Sequence, residues 1–154
     1  MDNKEIIDEF YGATDILTPV KDRMEYLMSK SCWVIDVFPD RVPEEEAASY
    51  AKVEKQLLHT EELNRKKYNV IMKIMQHYKF RKVLCDGEKI KEVTPEKLSE
   101  IVGRRYVQIL LNSALIDSDP DDMHILIYNP TDKLIPIARK IAESEGLYLW
   151  LAKR

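Results

Sequence analysis

Apolar residues recur along this chain with two periods, and the switches between them mark out the elements. Ile6, Ile7 and Phe10 stand at helical spacing. Thr18-Pro19 offers a capping residue with proline at a first helical position, and Val20, Met24, Leu27 and Met28 then share one face of a second helix. Cys32 to Phe38 is almost continuously apolar and stops at Pro39, the pattern of a strand covered on both faces, so it reads as a central strand. Pro43-Glu44-Glu45-Glu46 puts proline and three carboxylates at a helix start, with a buried stripe expected at Ala47, Tyr50, Ala51, Leu57 and Leu58. Thr60, followed by Glu61 and Glu62, caps a further helix to about Tyr78, with Tyr68, Ile71, Met72 and Met75 inward.

In the second half, Phe80 to Cys85 reads as a strand, and the turn dipeptide Asp86-Gly87 folds Glu88 to Val93 back beside it. Thr94-Pro95 opens a short helix that Gly103 ends. Tyr106 to Leu111 alternates, with Val107, Ile109 and Leu111 opposite Gln108, as a half-buried strand does. Ala114 to Asp117 and Met123 to Tyr128 form an antiparallel hairpin about the acidic loop Ser118 to Asp122. From Asn129-Pro130 the pattern is helical, with Leu134, Ile137, Ala138 and Ile141 inward and Gly146 as terminator. Pro136 should kink this helix or delay its start. Leu147, Leu149 and Leu151 alternate with Tyr148 and Trp150 in a last strand. The expected class is α+β: one domain over residues 1–154, a mixed β-sheet packed with helices on at least one face.

Size and composition agree with that class. A chain of 154 residues, 45% apolar and 33% charged, can bury an ordinary core without metals or disulfides. Cys32 and Cys85 sit in apolar runs and are expected to be reduced thiols. The first residues lack the basic and apolar regions of a signal peptide, and no apolar run approaches the roughly 20 residues of a membrane span, so a cytosolic protein without a membrane partner is expected. The formal net charge of −3 conceals a polarised distribution: −7 over residues 1–46, +6 over 47–113 and −2 over 114–154. Such asymmetry either cancels within the fold or offers surfaces to charged partners.

Few residues carry recognisable chemistry. The four glycines stand singly, which excludes a glycine-rich phosphate loop. Three separated histidines and two isolated cysteines make no metal motif, with Cys85 and His124 the one pairing left open, so neither metal nor cofactor is expected. Asp117, Asp119 and Asp121 match three ligand positions of a calcium loop, but Asp122 replaces its glycine and Tyr128 its final glutamate. The segment then reads as a solvated acidic tip, with Asp119, Asp121 and Asp122 able to dock a basic partner.

Asp36 is a carboxylate near the end of an apolar strand, on the face of Cys32, Val34 and Phe38. Its alternatives are capping the next turn, pairing with Arg41, or lining a pocket of a small enzyme. Arg65 to Lys82 holds seven cations and no carboxylate, with Tyr68, His77 and Tyr78 interleaved. Arg65, Lys66, Lys67 and Lys73 either solvate a helix or contact phosphate in an RNA- or nucleotide-binding module. The leading expectation is a non-enzymatic interaction protein, a small regulator, adaptor or antidote-type binder of another protein. Nucleic-acid binding through residues 65–82 and a small enzyme near Asp36 are the alternatives.

Overall fold

The computed structural model describes residues 17–153. In chain order the elements are α1 (Leu17–Met28), β1 (Cys32–Asp36), a 3-10 turn (Glu44–Glu46), α2 (Ala47–Leu57), α3 (Glu61–Met75), β2 (Arg81–Cys85), β3 (Glu88–Lys89), α4 (Pro95–Ile101), β4 (Val107–Leu111), β5 (Leu115–Ser118), β6 (Ile125–Tyr128), α5 (Leu134–Ser144) and β7 (Tyr148–Leu151). The seven strands form one sheet in the order β3-β2-β4-β5-β6-β1-β7. The α+β class holds, and every pairing between these strands is antiparallel rather than mixed.

Strand alternation gives the sheet two apolar faces. Ile35, Val83, Val107, Ile109, Leu111, Ile116, Ile125 and Ile127 face α3, α4 and α5, which contribute Val70, Ile71, Ile74, Leu98, Ile101, Leu134 and Ala138 to the main core. On the other face, Val20, Met24 and Leu27 of α1 pack against Cys32, Leu84, Leu110, Leu115 and Tyr128. The Val20–Leu27 stripe is therefore as the spacing predicted. Thr18 and Pro19 fall inside α1, and Ile6, Ile7 and Phe10 lie outside the described residues.

Several expectations need correction. The Cys32–Phe38 run is not central: β1 is second from the edge, and the middle strand is β5. Cover on both faces made the run apolar, but such cover does not require a central position. Ile35 is 1% exposed, whereas Trp33 and Val37 are only half-buried. β4, expected to be half-buried, is buried along its whole length, Gln108 included. α2 buries none of its residues. Ala47 and Ala51 are exposed, and Tyr50 meets Phe38 edge-on with ring centroids 4.8 Å apart.

α3 ends at Met75, short of Tyr78. Its inward stripe includes Leu63, Lys67, Val70 and Ile74, with Tyr68 and Met72 at the margin. β3 is two residues long instead of reaching Val93. α5 starts at Leu134, which leaves Pro136 in the first turn where its missing N–H costs no helical bond.

Local signals behaved as read. Thr60 and Thr94 cap α3 and α4 by accepting from the N–H groups of Leu63 and Lys97. The β5–β6 hairpin closes with Asp117 opposite Leu126. Both cysteines are outside any disulfide. Among the described residues, no helix is long and apolar enough to cross a membrane.

Candidate functional site at the Asp36 end of the sheet

Antiparallel pairing brings the C-terminal ends of β1 and β5 beside the N-terminal ends of β4 and β6. Asp36, Asp117, the Asp119–Asp122 turn and His124 therefore gather at one end of the sheet, though 88 residues separate the first from the last. α3 delivers one cation there. Lys67 occupies the core stripe, four residues after Leu63 and three before Val70, and is 1% exposed. Its stem fills apolar space and its ammonium reaches the sheet end.

The Lys67 Nζ donates to the backbone carbonyl of Asp119 at 3.1 Å and to that of Asp122. Burial pulls its pKa down to about 8, against the opposing pull of Asp122, Asp119 and Asp36. The expectation that Lys67 belongs to a solvated face is thus overturned, because it falls on the inward stripe of an amphipathic helix. Lys82 is buried as well, 5.6 Å from the centre of the Phe80 ring.

Asp36 is buried, and that burial raises its carboxyl above the ordinary value. His124 and the N–H groups of Val37 and Phe38 work in the opposite direction. The Val37 N–H donates to Asp36 Oδ1 at 2.7 Å, the turn-capping role the sequence suggested. Across β6 from it, at the start of β4 and the end of β5, the Tyr106 hydroxyl donates to the Asp117 carboxylate, and Gln108 Nε2 donates to the same oxygen at 3.3 Å. Burial raises Asp117, and these two donors hold it down.

The carboxylates of the turn point differently. Asp119 Oδ1 accepts from the Asp121 N–H at 2.9 Å. The Asp121 side chain is 86% exposed, 3.9 Å from His59 Nε2, and Asp122 lies 3.8 Å from His124 Nε2.

The other basic candidates do not join this cluster. Lys66 pairs with Glu62 at 3.7 Å, and Lys73 lies 3.3 Å from Glu145 and 3.2 Å from Ser144. Arg65 lines an open cleft of about 720 Å³ between α3 and α4, with Glu61, Glu62, Tyr68 and Arg104. Cys85 ends β2 and His124 directly precedes β6, with two strands between these, roughly 14 Å at the usual spacing, so they do not share an ion. No group of three or more histidine, cysteine or acidic residues able to hold a metal occurs among the described residues.

The sequence reading missed Tyr106, Asp117 and His124 as members of one cluster, and did not see that Gln108 bonds Asp117. The signal was present in Tyr106 and Gln108, polar positions two apart on a strand, but their partners lie on other elements. The chain matches no protein-family model, no curated protein and no solved structure with which it was compared.

Proposed function

We propose that this protein works without catalysis, by surface recognition of another protein, and that it docks with the sheet end bearing the Asp119–Asp122 turn. The partner presents basic groups. One observation carries this reading: the buried Lys67 ammonium is committed to two backbone carbonyls, so it anchors the turn from beneath while the Asp121 carboxylate faces outward. A turn fixed before binding loses little conformational freedom on docking. The exposed Asp121 carboxylate at its tip, with the partly exposed Asp122 beside it, steers a basic partner and fixes its orientation.

The nucleic-acid alternative has less support, since Lys67 and Lys82 are buried and Lys66 and Lys73 already face carboxylates. A small enzyme centred on Asp36 has one observation in its favour, a buried carboxyl raised by desolvation next to His124.

The discriminating experiment compares wild type, the double variant Asp121→Asn/Asp122→Asn and the variant Asp36→Asn. Each is used as bait for proteins of the source cell and assayed for retention of generic RNA. The recognition reading expects a protein retained by wild type and by Asp36→Asn but lost with the double variant, together with RNA binding too weak to measure at about 150 mM salt. RNA retention with a steep salt slope, abolished by Arg65→Glu/Lys66→Glu, would favour the nucleic-acid module instead.

A further inference from the structure

The two edges of the sheet are unlike. β3 is two residues long, Glu88–Lys89, and charged, which is how an edge is blunted against pairing. β7 is four residues, Tyr-Leu-Trp-Leu, without a charge, and Tyr148 and Leu151 are 47% and 50% exposed. Among the described strands, β7 pairs with β1 alone.

The direction of its groups that no other described strand meets follows from one bond. The Ala152 N–H donates to the Cys32 carbonyl at 2.9 Å, so in the β1–β7 register Ala152, Trp150 and Tyr148 aim their main-chain groups at β1. Leu149 and Leu151 aim theirs away from it.

From this geometry we infer that β7 pairs with β7 of a second copy of this chain, antiparallel about a two-fold axis, to join two sheets into one. Outward groups must meet outward groups, and one such register pairs both outward residues within β7: Leu149 faces Leu151 of the other copy, twice over, and Trp150 faces Trp150 at the axis. Side-chain faces then match. Leu149 packs against the main core and Ala152 against the second, so the paired leucines lie on the face of α3, α4 and α5 and the tryptophans on the face of α1.

Charge favours the same orientation. Antiparallel pairing sets the exposed Lys153, just past the C-terminal end of one β7, toward the exposed Glu143 at the end of α5 in the other copy. A parallel arrangement would set like charges together. The interface is isologous and closed, so it gives a dimer and not a fibre. This inference does not rest on the recognition reading, since β7 lies along the side of the sheet and none of the turn's carboxylates takes part.

Sedimentation equilibrium of the full chain tests it, from about 10 µM to about 1 mM, the range in which a small interface associates. The expected result is reversible dimerisation, with the amides of Leu149 and Leu151 gaining protection from hydrogen exchange as concentration rises. Leu151→Lys, at an exposed position, should raise the dissociation constant at least about tenfold, with an unchanged thermal midpoint at concentrations low enough for both chains to be monomeric. Lys153→Glu should weaken the dimer, and the swap Glu143→Lys/Lys153→Glu should restore it. A chain that stays monomeric throughout, or a dimer indifferent to Leu151→Lys, would overturn the inference.

Discussion

Lys67 Nζ and the backbone carbonyl of Asp119 are 3.1 Å apart across 52 positions of sequence, and this bond ties α3 to the turn between β5 and β6. It makes Lys67 different in kind from its neighbour Lys66. The Lys66 ammonium meets Glu62 one turn back on the same helix at 3.7 Å, an arrangement that contributes little to stability.

Charge reversal separates the two lysines. Lys66→Glu should change unfolding free energy by less than about 1 kcal/mol. Lys67→Glu should cost about 3 to 5 kcal/mol, because it buries a carboxylate against two carbonyls with no donor left to satisfy them. Urea unfolding of the two single variants measures the contrast, and equal losses would contradict the burial of Lys67.

The lowered pKa of Lys67 has a definite sign in pH titrations. Between about 8 and the ordinary value of 10.5, the unfolded chain carries a proton on this residue that the folded chain has released. Its contribution to stability therefore rises with pH through that window. Relative to Lys67→Met, wild type should gain stability from about pH 7 to about pH 10, whatever constant offset the substitution brings. A difference that stays flat, or falls, would show that the ammonium is solvated.

Asp36 works in the opposite sense. Its carboxyl is raised by burial, so between the ordinary value of 3.8 and the raised one the folded chain holds a proton that the unfolded chain has lost. Stability falls as pH rises through that range, and the full penalty is present above it. Asp36→Asn retains a side-chain oxygen for the Val37 N–H and removes the penalty. The variant should be more stable than wild type at neutral pH, with the advantage fading in acid. Parallel denaturant curves across the acid range would show it.

Two glycines with nearly the same φ should respond differently to alanine. Gly87 has φ +85° and open space around its Cα, so Gly87→Ala bears only the left-handed strain, about 1 to 2 kcal/mol. Gly103 has φ +83°, and an added Cβ would fall 2.0 Å from Oδ1 of the buried Asn64. Gly103→Ala should cost about 1 to 3 kcal/mol beyond the Gly87 variant, from displaced packing where α3 meets α4. Thermal melts of the pair would settle the ranking.

What the sequence determined by itself was local. Thr60 and Thr94 reach N–H groups three residues on, Asp86-Gly87 reverses the chain within a hairpin, and Asp117 meets Leu126 across a short acidic loop. Each depends on neighbours already within reach, so residue type and spacing suffice. The stripe of α1 and the α+β class were legible for the same reason, since periodicity records which face is buried.

Periodicity does not record what covers that face. Strand order was decided by pairings between distant segments, which placed β5 rather than β1 at the centre and closed β4 between two neighbours. α2 has an apolar spacing but packs outside both cores, whose helices are α3, α4 and α5 on one face and α1 on the other. Asp36, Lys67, Asp119 and Asp122 were visible singly as an odd carboxylate, one cation in a run and an acidic tip. Antiparallel pairing and the packing of α3 on the sheet joined them, and the resulting loss of solvent shifted the protonation of Lys67 and Asp36 in ways no linear spacing encodes.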